Sequence, residues 1–116
     1  MPRIIIIDDE LDNVKSTECL LKLMGIDVIA VGYNGKDAVE LYEKHKPDVV
    51  LLDMMMPEYD GFYAIDGIDK LDPHAKVIIL SGILDSKTNE MVKHRIVHSL
   101  VIKPFVIDDL IKKILN

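Results

Sequence analysis

A chain of 116 residues, 49% hydrophobic and 29% charged, has the size of one domain and enough apolar side chain for a proper core, so one unit over residues 1–116 is expected and two packed domains are excluded. A formal net charge of −6 argues against direct nucleic-acid binding, where a clustered basic face supplies most of the affinity. The single cysteine, Cys19, excludes an intramolecular disulfide and a Cys-rich metal site; the apolar run Ile4 to Ile7 is far too short for a bilayer and the N-terminus lacks a signal-peptide pattern, so a cytoplasmic protein with no membrane attachment is expected, with Cys19 on a helix near the core.

Short apolar runs rich in Val and Ile alternate with segments of helical period. Residues 3 to 7 (RIIII) read as a first strand. Val14, Thr17, Leu21 and Met24 then recur at helical spacing and stop at Gly25, a C-terminal cap residue. A second strand, 27 to 31 (DVIAV), leads to Asn34, which caps a helix that buries Ala38, Leu41 and Tyr42 and ends before Pro47. Strand three, 48 to 52 (DVVLL), precedes a helix capped by Asp60, which carries Ile65, Ile68 and Leu71 and closes before Pro73. Strand four, 76 to 80 (KVIIL), is followed by the weakest helix, Asp85 to His94, whose apolar content is little more than Met91 and Val92. Strand five, 99 to 102 (SLVI), precedes a helix with Ile107, Leu110, Ile111, Ile114 and Leu115 on one face. Unalternating apolar strands belong to parallel sheets buried on both faces, so five βα units with right-handed crossovers predict a doubly wound α/β sheet.

In such sheets ligands bind at the carboxyl ends of the strands. Strand one ends in Asp8-Asp9-Glu10, strand three in Asp53, strand four in Ser81-Gly82 and strand five in Lys103-Pro104. The carboxylates of Asp8, Asp9 and Asp53, a hydroxyl and an ammonium thus converge on one rim. Carboxylates that close repel one another unless a cation intervenes, and hard oxygen ligands suit Mg²⁺. Asp53, ionised between metal and amine, reads as a nucleophile whose transferred phosphoryl oxygens would be held by Mg²⁺, Lys103 and the Ser81 hydroxyl.

In IIIIDDE at 4 to 10, LLDMMMP at 51 to 57, DG at 60 and 61, ILSG at 79 to 82 and IKPF at 102 to 105, the chain resembles the receiver domains of two-component response regulators, over its whole length. The resemblance implies a flavodoxin-like fold with strand order 2-1-3-4-5, and a signalling domain rather than an enzyme with turnover. It makes Asp53 the acceptor of a phosphoryl group from a sensor histidine kinase or histidine phosphotransfer protein. Asp9 would bind Mg²⁺ directly, Asp8 through water, and the Met55 backbone carbonyl would supply another ligand. Lys103 would pair with the carboxylate and then the phosphoryl group, before a cis bond to Pro104, and Ser81 would move to hydrogen-bond that group. Output would pass to a downstream protein target or an attached output domain, from a monomer or a phosphorylation-dependent dimer. The chain reads either as a stand-alone regulator or as a receiver excised from something longer.

The chain departs from the family at Leu100, where Tyr or Phe is usual, and at Ile96-Val97, usually Gly-Ala, which leaves output through the fourth helix, fifth strand and fifth helix the least secure carry-over. Met55 and Ile83, each two residues past a site residue, cannot orient a hydrolytic water by hydrogen bonding, which predicts slow loss of the phosphoryl group. The Leu100 departure favours an alternative, a scaffold of the same fold that signals without phosphorylation. An aspartyl-phosphate phosphatase fails because Met55 cannot act as general acid. Dinucleotide and flavin folds fail for want of a phosphate-binding loop after strand one. Met54 to Met56 read as loop and packing, Glu10 as surface, and His45, His74, His94 and His98 as having no catalytic role.

Overall fold

The structure, a computed structural model, describes residues 2–54, 56, 59–82 and 85–116. Strands and helices alternate: β1 (Arg3–Ile7), α1 (Leu11–Leu23), β2 (Asp27–Gly32), α2 (Gly35–His45), β3 (Val49–Asp53), α3 (Gly61–Leu71), β4 (Val77–Ser81), α4 (Ser86–Val92), β5 (Val97–Ile102) and α5 (Ile107–Leu115). All five strands are parallel, in the order β2-β1-β3-β4-β5. The doubly wound, flavodoxin-like sheet read from the sequence is therefore the observed one.

The apolar runs are unalternating because both sheet faces are covered. Ile5, Ile7, Val50, Leu52 and Ile79 pack with Ala38 and Tyr42 of α2 and Ala64, Ile65 and Ile68 of α3. Ile4, Ile6, Leu51, Ile78 and Leu80 point the other way, onto Val14 and Leu21 of α1 and Leu110 and Ile114 of α5. Each fully buried aliphatic side chain of this kind contributes roughly 1.5–3 kcal/mol relative to exposure.

The helix starts follow from capping. Asn34 accepts the Asp37 N–H at 2.8 Å, Asp60 that of Tyr63 at 3.1 Å and Asp85 that of Thr88 at 2.8 Å, each satisfying an orphan donor of the first turn. Gly25 ends α1 at φ 83, the left-handed conformation that glycine adopts without cost.

Several expectations are corrected. Cys19 is exposed, because α1 buries its Val14 and Leu21 side and residue 19 lies two positions before Leu21, on the opposite face. Leu71 and Leu115, at the last turns of their helices, are exposed, and Met24 beyond α1 is half exposed. α4 ends at Val92 rather than His94. β5 starts two residues early because a bulge sets Val77 opposite Val97 and Ile78 opposite Ser99, leaving His98 as the extra residue. No described helix is long and apolar enough to cross a membrane.

Candidate functional site

The central position of β1 and β3 brings the ends of the chain's acidic motifs together. Asp8 follows β1 directly and its N–H donates to Gly32 O at the end of β2, at 3.1 Å. Its carboxylate is buried and held from two sides: Oδ1 accepts the Glu10 N–H at 3.0 Å and Oδ2 accepts from Lys103 Nζ at 3.2 Å. Asp53 closes β3 in register with Leu80 of β4 and is also buried. Lys103 Nζ lies 3.8 Å from Asp53 Oδ2, so one ammonium reaches two carboxylates from different strands. Asp9 is the exposed member.

Each of Asp8, Asp9 and Asp53 offers a carboxylate oxygen, and these oxygens lie within 4.8 Å of one another. Three carboxylates in that space repel one another, which is unfavourable where two of them are buried unless a cation joins them. The donors are hard oxygens, two buried and one open to solvent, a set that fits Mg²⁺, which takes one or two carboxylates and retains waters.

Ser81 ends β4 fully buried, opposite Ile102 of β5. The Lys103 N–H donates to Ser81 O at 2.9 Å, which fixes the lysine backbone to the strand carrying the hydroxyl. The Lys103–Pro104 peptide bond is cis, as the resemblance implies. Beyond Asp53, the Gly61 N–H donates to Met54 O at 3.3 Å, and a Cβ on Gly61 would stand 2.9 Å from Met54 Cα. Glycine at 61 thus lets α3 begin against the backbone next to Asp53. Met54 and Met56 are buried, in keeping with their packing role. Met55 and Ile83, and the roles given to them, lie outside the described residues.

Asp8, Asp9, Asp53, Ser81 and Lys103 therefore gather on the rim where the strand ends placed them. The sequence did not disclose several side-chain pairings elsewhere in the fold. Thr88 is buried, and its N–H and hydroxyl hold the Asp85 carboxyl below its ordinary pKa. Arg95 grips Asp69 of α3 with two hydrogen bonds, 2.8 and 3.1 Å, which depress the Asp69 pKa. His94 Nε2 lies 4.0 Å from the same carboxylate. Asp69 and Arg95, 26 positions apart, carry no local pattern by which their pairing could be read. Leu100 is half-buried against the α2–α3 side of the core.

Comparison with known proteins agrees with this geometry. The chain is 38% identical to the chemotaxis protein CheY of Thermotoga maritima over 70% of its own length and 68% of the relative's. It is 32% identical to CheY of Bacillus subtilis, over 97% and 93%. A DNA-binding response regulator of the LuxR family from Staphylococcus aureus superimposes with a TM-score of 0.89 at 30% identity, covering 99% of this chain and 97% of that one. The model of the response regulator receiver domain family matches residues 4–115, and the chain belongs to that family, the receiver domains of two-component signalling.

Proposed function

We propose that residues 1–116 form one receiver domain in which Asp53 accepts a phosphoryl group from a histidine kinase or histidine phosphotransfer protein, with Mg²⁺ as cofactor. The observation that carries this reading is the reach of Lys103 Nζ to both Asp8 and Asp53, at 3.2 and 3.8 Å, beside three convergent carboxylates. Asp8, Asp9, Asp53 and the Met55 carbonyl are the proposed metal ligands. When bound, the ion supplies positive charge against the phosphoryl oxygens.

In the transfer, an Asp53 carboxylate oxygen attacks phosphorus, the bond from phosphorus to the donor histidine nitrogen breaks, and that nitrogen leaves with the electron pair. Strand β3 fixes the nucleophile, so little orientation is left to chance. Lys103 and the Ser81 hydroxyl would donate to the transferred group, and charge-assisted hydrogen bonds of this kind stabilise transferred anions. The product acyl phosphate carries about −1.5 to −2 of charge in place of the carboxylate's single negative charge. That charge, drawing on Ser81 and Lys103, shifts the domain between two conformations read by a partner protein or an attached output domain.

Incubation with acetyl phosphate and Mg²⁺ followed by intact-protein mass measurement tests the reading. A single phosphoryl adduct is expected, absent without the metal and absent in Asp53→Ala. An adduct that survives Asp53→Ala would place the chemistry elsewhere.

A further inference from the structure

The short run Tyr59-Asp60-Gly61 that leads into α3 is tied at one end to a helix outside the site. The Gly35 N–H, in the first turn of α2, donates to Tyr59 O. A Cβ on Gly35 would collide with the Tyr59 and Asp60 carbonyl oxygens and stand 2.8 Å from the Tyr59 carbonyl carbon, so only glycine permits this approach. Gly35 itself is fixed by its neighbours, since Asn34 caps the helix and Asp37 Oδ2 accepts the Tyr33 N–H at 3.0 Å. Tyr59 holds a left-handed φ of 47, which a tyrosine adopts only when its surroundings impose it. Its ring meets Tyr63 edge-on, with centroids 4.9 Å apart, and Lys36 Nζ stands 5.9 Å from its centre.

The other end of the same segment is fixed at the acceptor, where Met54 O accepts the Gly61 N–H. Tyr59, Asp60 and Gly61 are therefore three consecutive residues pinned at one end beside Asp53, through Met54, and at the other against α2. A run pinned at both ends cannot adapt at one without loading the other, and phosphorylation would replace the single charge of the Asp53 carboxylate with a bulkier group carrying about −1.5 to −2. On the opposite route out of the site, Leu100 supplies no aromatic ring to follow Ser81.

We propose that the Gly35–Tyr59 hydrogen bond is a latch that releases when Asp53 is loaded, so that the first turn of α2 and the Tyr59–Tyr63–Lys36 surface report the state of the site. This rests on the phospho-acceptor reading and extends it to an outlet through α2. Tyr59 and Tyr63 are both exposed, so a change in their pairing alters the surface that the molecule presents.

Amide hydrogen exchange on the full chain with Mg²⁺, with and without beryllium fluoride as phosphoryl mimic, tests the latch. Exchange at Gly35 is expected to accelerate about tenfold or more on loading, and not at all in Asp53→Asn. Gly35→Ala should give fast exchange at Lys36 and Asp37 in both states. Exchange at Gly35 that stays within about twofold, or slows, while the Ser81 and Gly82 amides respond would overturn the latch and leave the acceptor standing. If no amide near Asp53 responds and acetyl phosphate leaves the mass unchanged, the acceptor reading fails and the latch with it.

Discussion

Lys103 Nζ stands closer to Asp8 than to Asp53, 3.2 against 3.8 Å, so the ammonium divides itself between the first strand's carboxylate and the third's. It places a positive charge against two of the three rim carboxylates, and its side chain is only 25% exposed. Removing it takes a counter-charge away from two buried carboxylates. Lys103→Met is therefore expected to lose about 1–3 kcal/mol of stability in urea without divalent ions, and to recover part of it in Mg²⁺. Asp9→Asn should act oppositely, raising the urea midpoint by relieving repulsion at the expense of function. A Lys103→Met protein as stable as the parent in metal-free buffer would show that the rim carboxylates are not under mutual repulsion.

Gly61 is the second position where the site constrains the scaffold. The Cβ of Gly61→Ala would press on Met54 Cα and its sulfur, the residue adjoining Asp53. Overpacking of this kind costs about 1–3 kcal/mol. Because the displaced backbone is that of the acceptor's neighbour, phosphorylation by acetyl phosphate should slow more than stability falls. Gly61→Ala with an unchanged phosphorylation rate would mean that the start of α3 does not help to place Asp53.

The fold was legible because β1, β3 and β4 are unbroken apolar runs, a pattern that only a sheet covered on both faces explains. The site was legible because each of its polar side chains sits one step beyond such a run: Asp8 after Ile7, Asp53 after Leu52, Ser81 after Leu80, Lys103 after Ile102. What escaped were relations with no local signature. The bulge that makes His98 the extra residue of β5 depends on the partner strand, β4. Whether Cys19 faces in or out depends on which side of α1 meets the sheet, a choice that Val14 and Leu21 decide together. The Gly35–Tyr59 contact joins two loops far apart in sequence, and nothing in either loop alone predicts it.

Three aspartates outside the site should contribute to acid sensitivity. Asp69, Asp72 and Asp85 all have pKa values below the ordinary aspartate range: Asp69 through its hydrogen bonds from Arg95, Asp72 through the Tyr42 hydroxyl, Asp85 through the Thr88 N–H. A carboxyl whose folded pKa is depressed adds stability that is fully present above its unfolded value, about 3.9, and lost as pH falls through the lower folded value. Urea midpoints are therefore expected to fall as pH drops below about 4. Asp85→Asn keeps a capping side chain but removes one titration, so its midpoint should fall less over that window. An identical acid slope would exclude Asp85 as a contributor.

The alkaline limit should trace to Tyr42. This phenol is buried on α2 and donates to Asp72 Oδ2 at 2.7 Å, at the ends of the two helices that flank the latch. Burial foremost, then the hydrogen bond and the negative charge of Asp72, raise its pKa well above the ordinary phenol value. The phenolate is disfavoured in the folded chain and free to form in the unfolded one. A group whose folded pKa is raised adds stability that is complete below its unfolded value, about 10, and disappears as pH rises beyond it. Tyr42→Phe should cost about 0.5–1.5 kcal/mol at neutral pH through the lost hydrogen bond. Above pH ~10 the gap between parent and variant should close, because phenylalanine has no proton to lose. Paired urea titrations across that range measure the difference directly, and a gap that stays constant would mean that Tyr42 ionises as readily folded as unfolded.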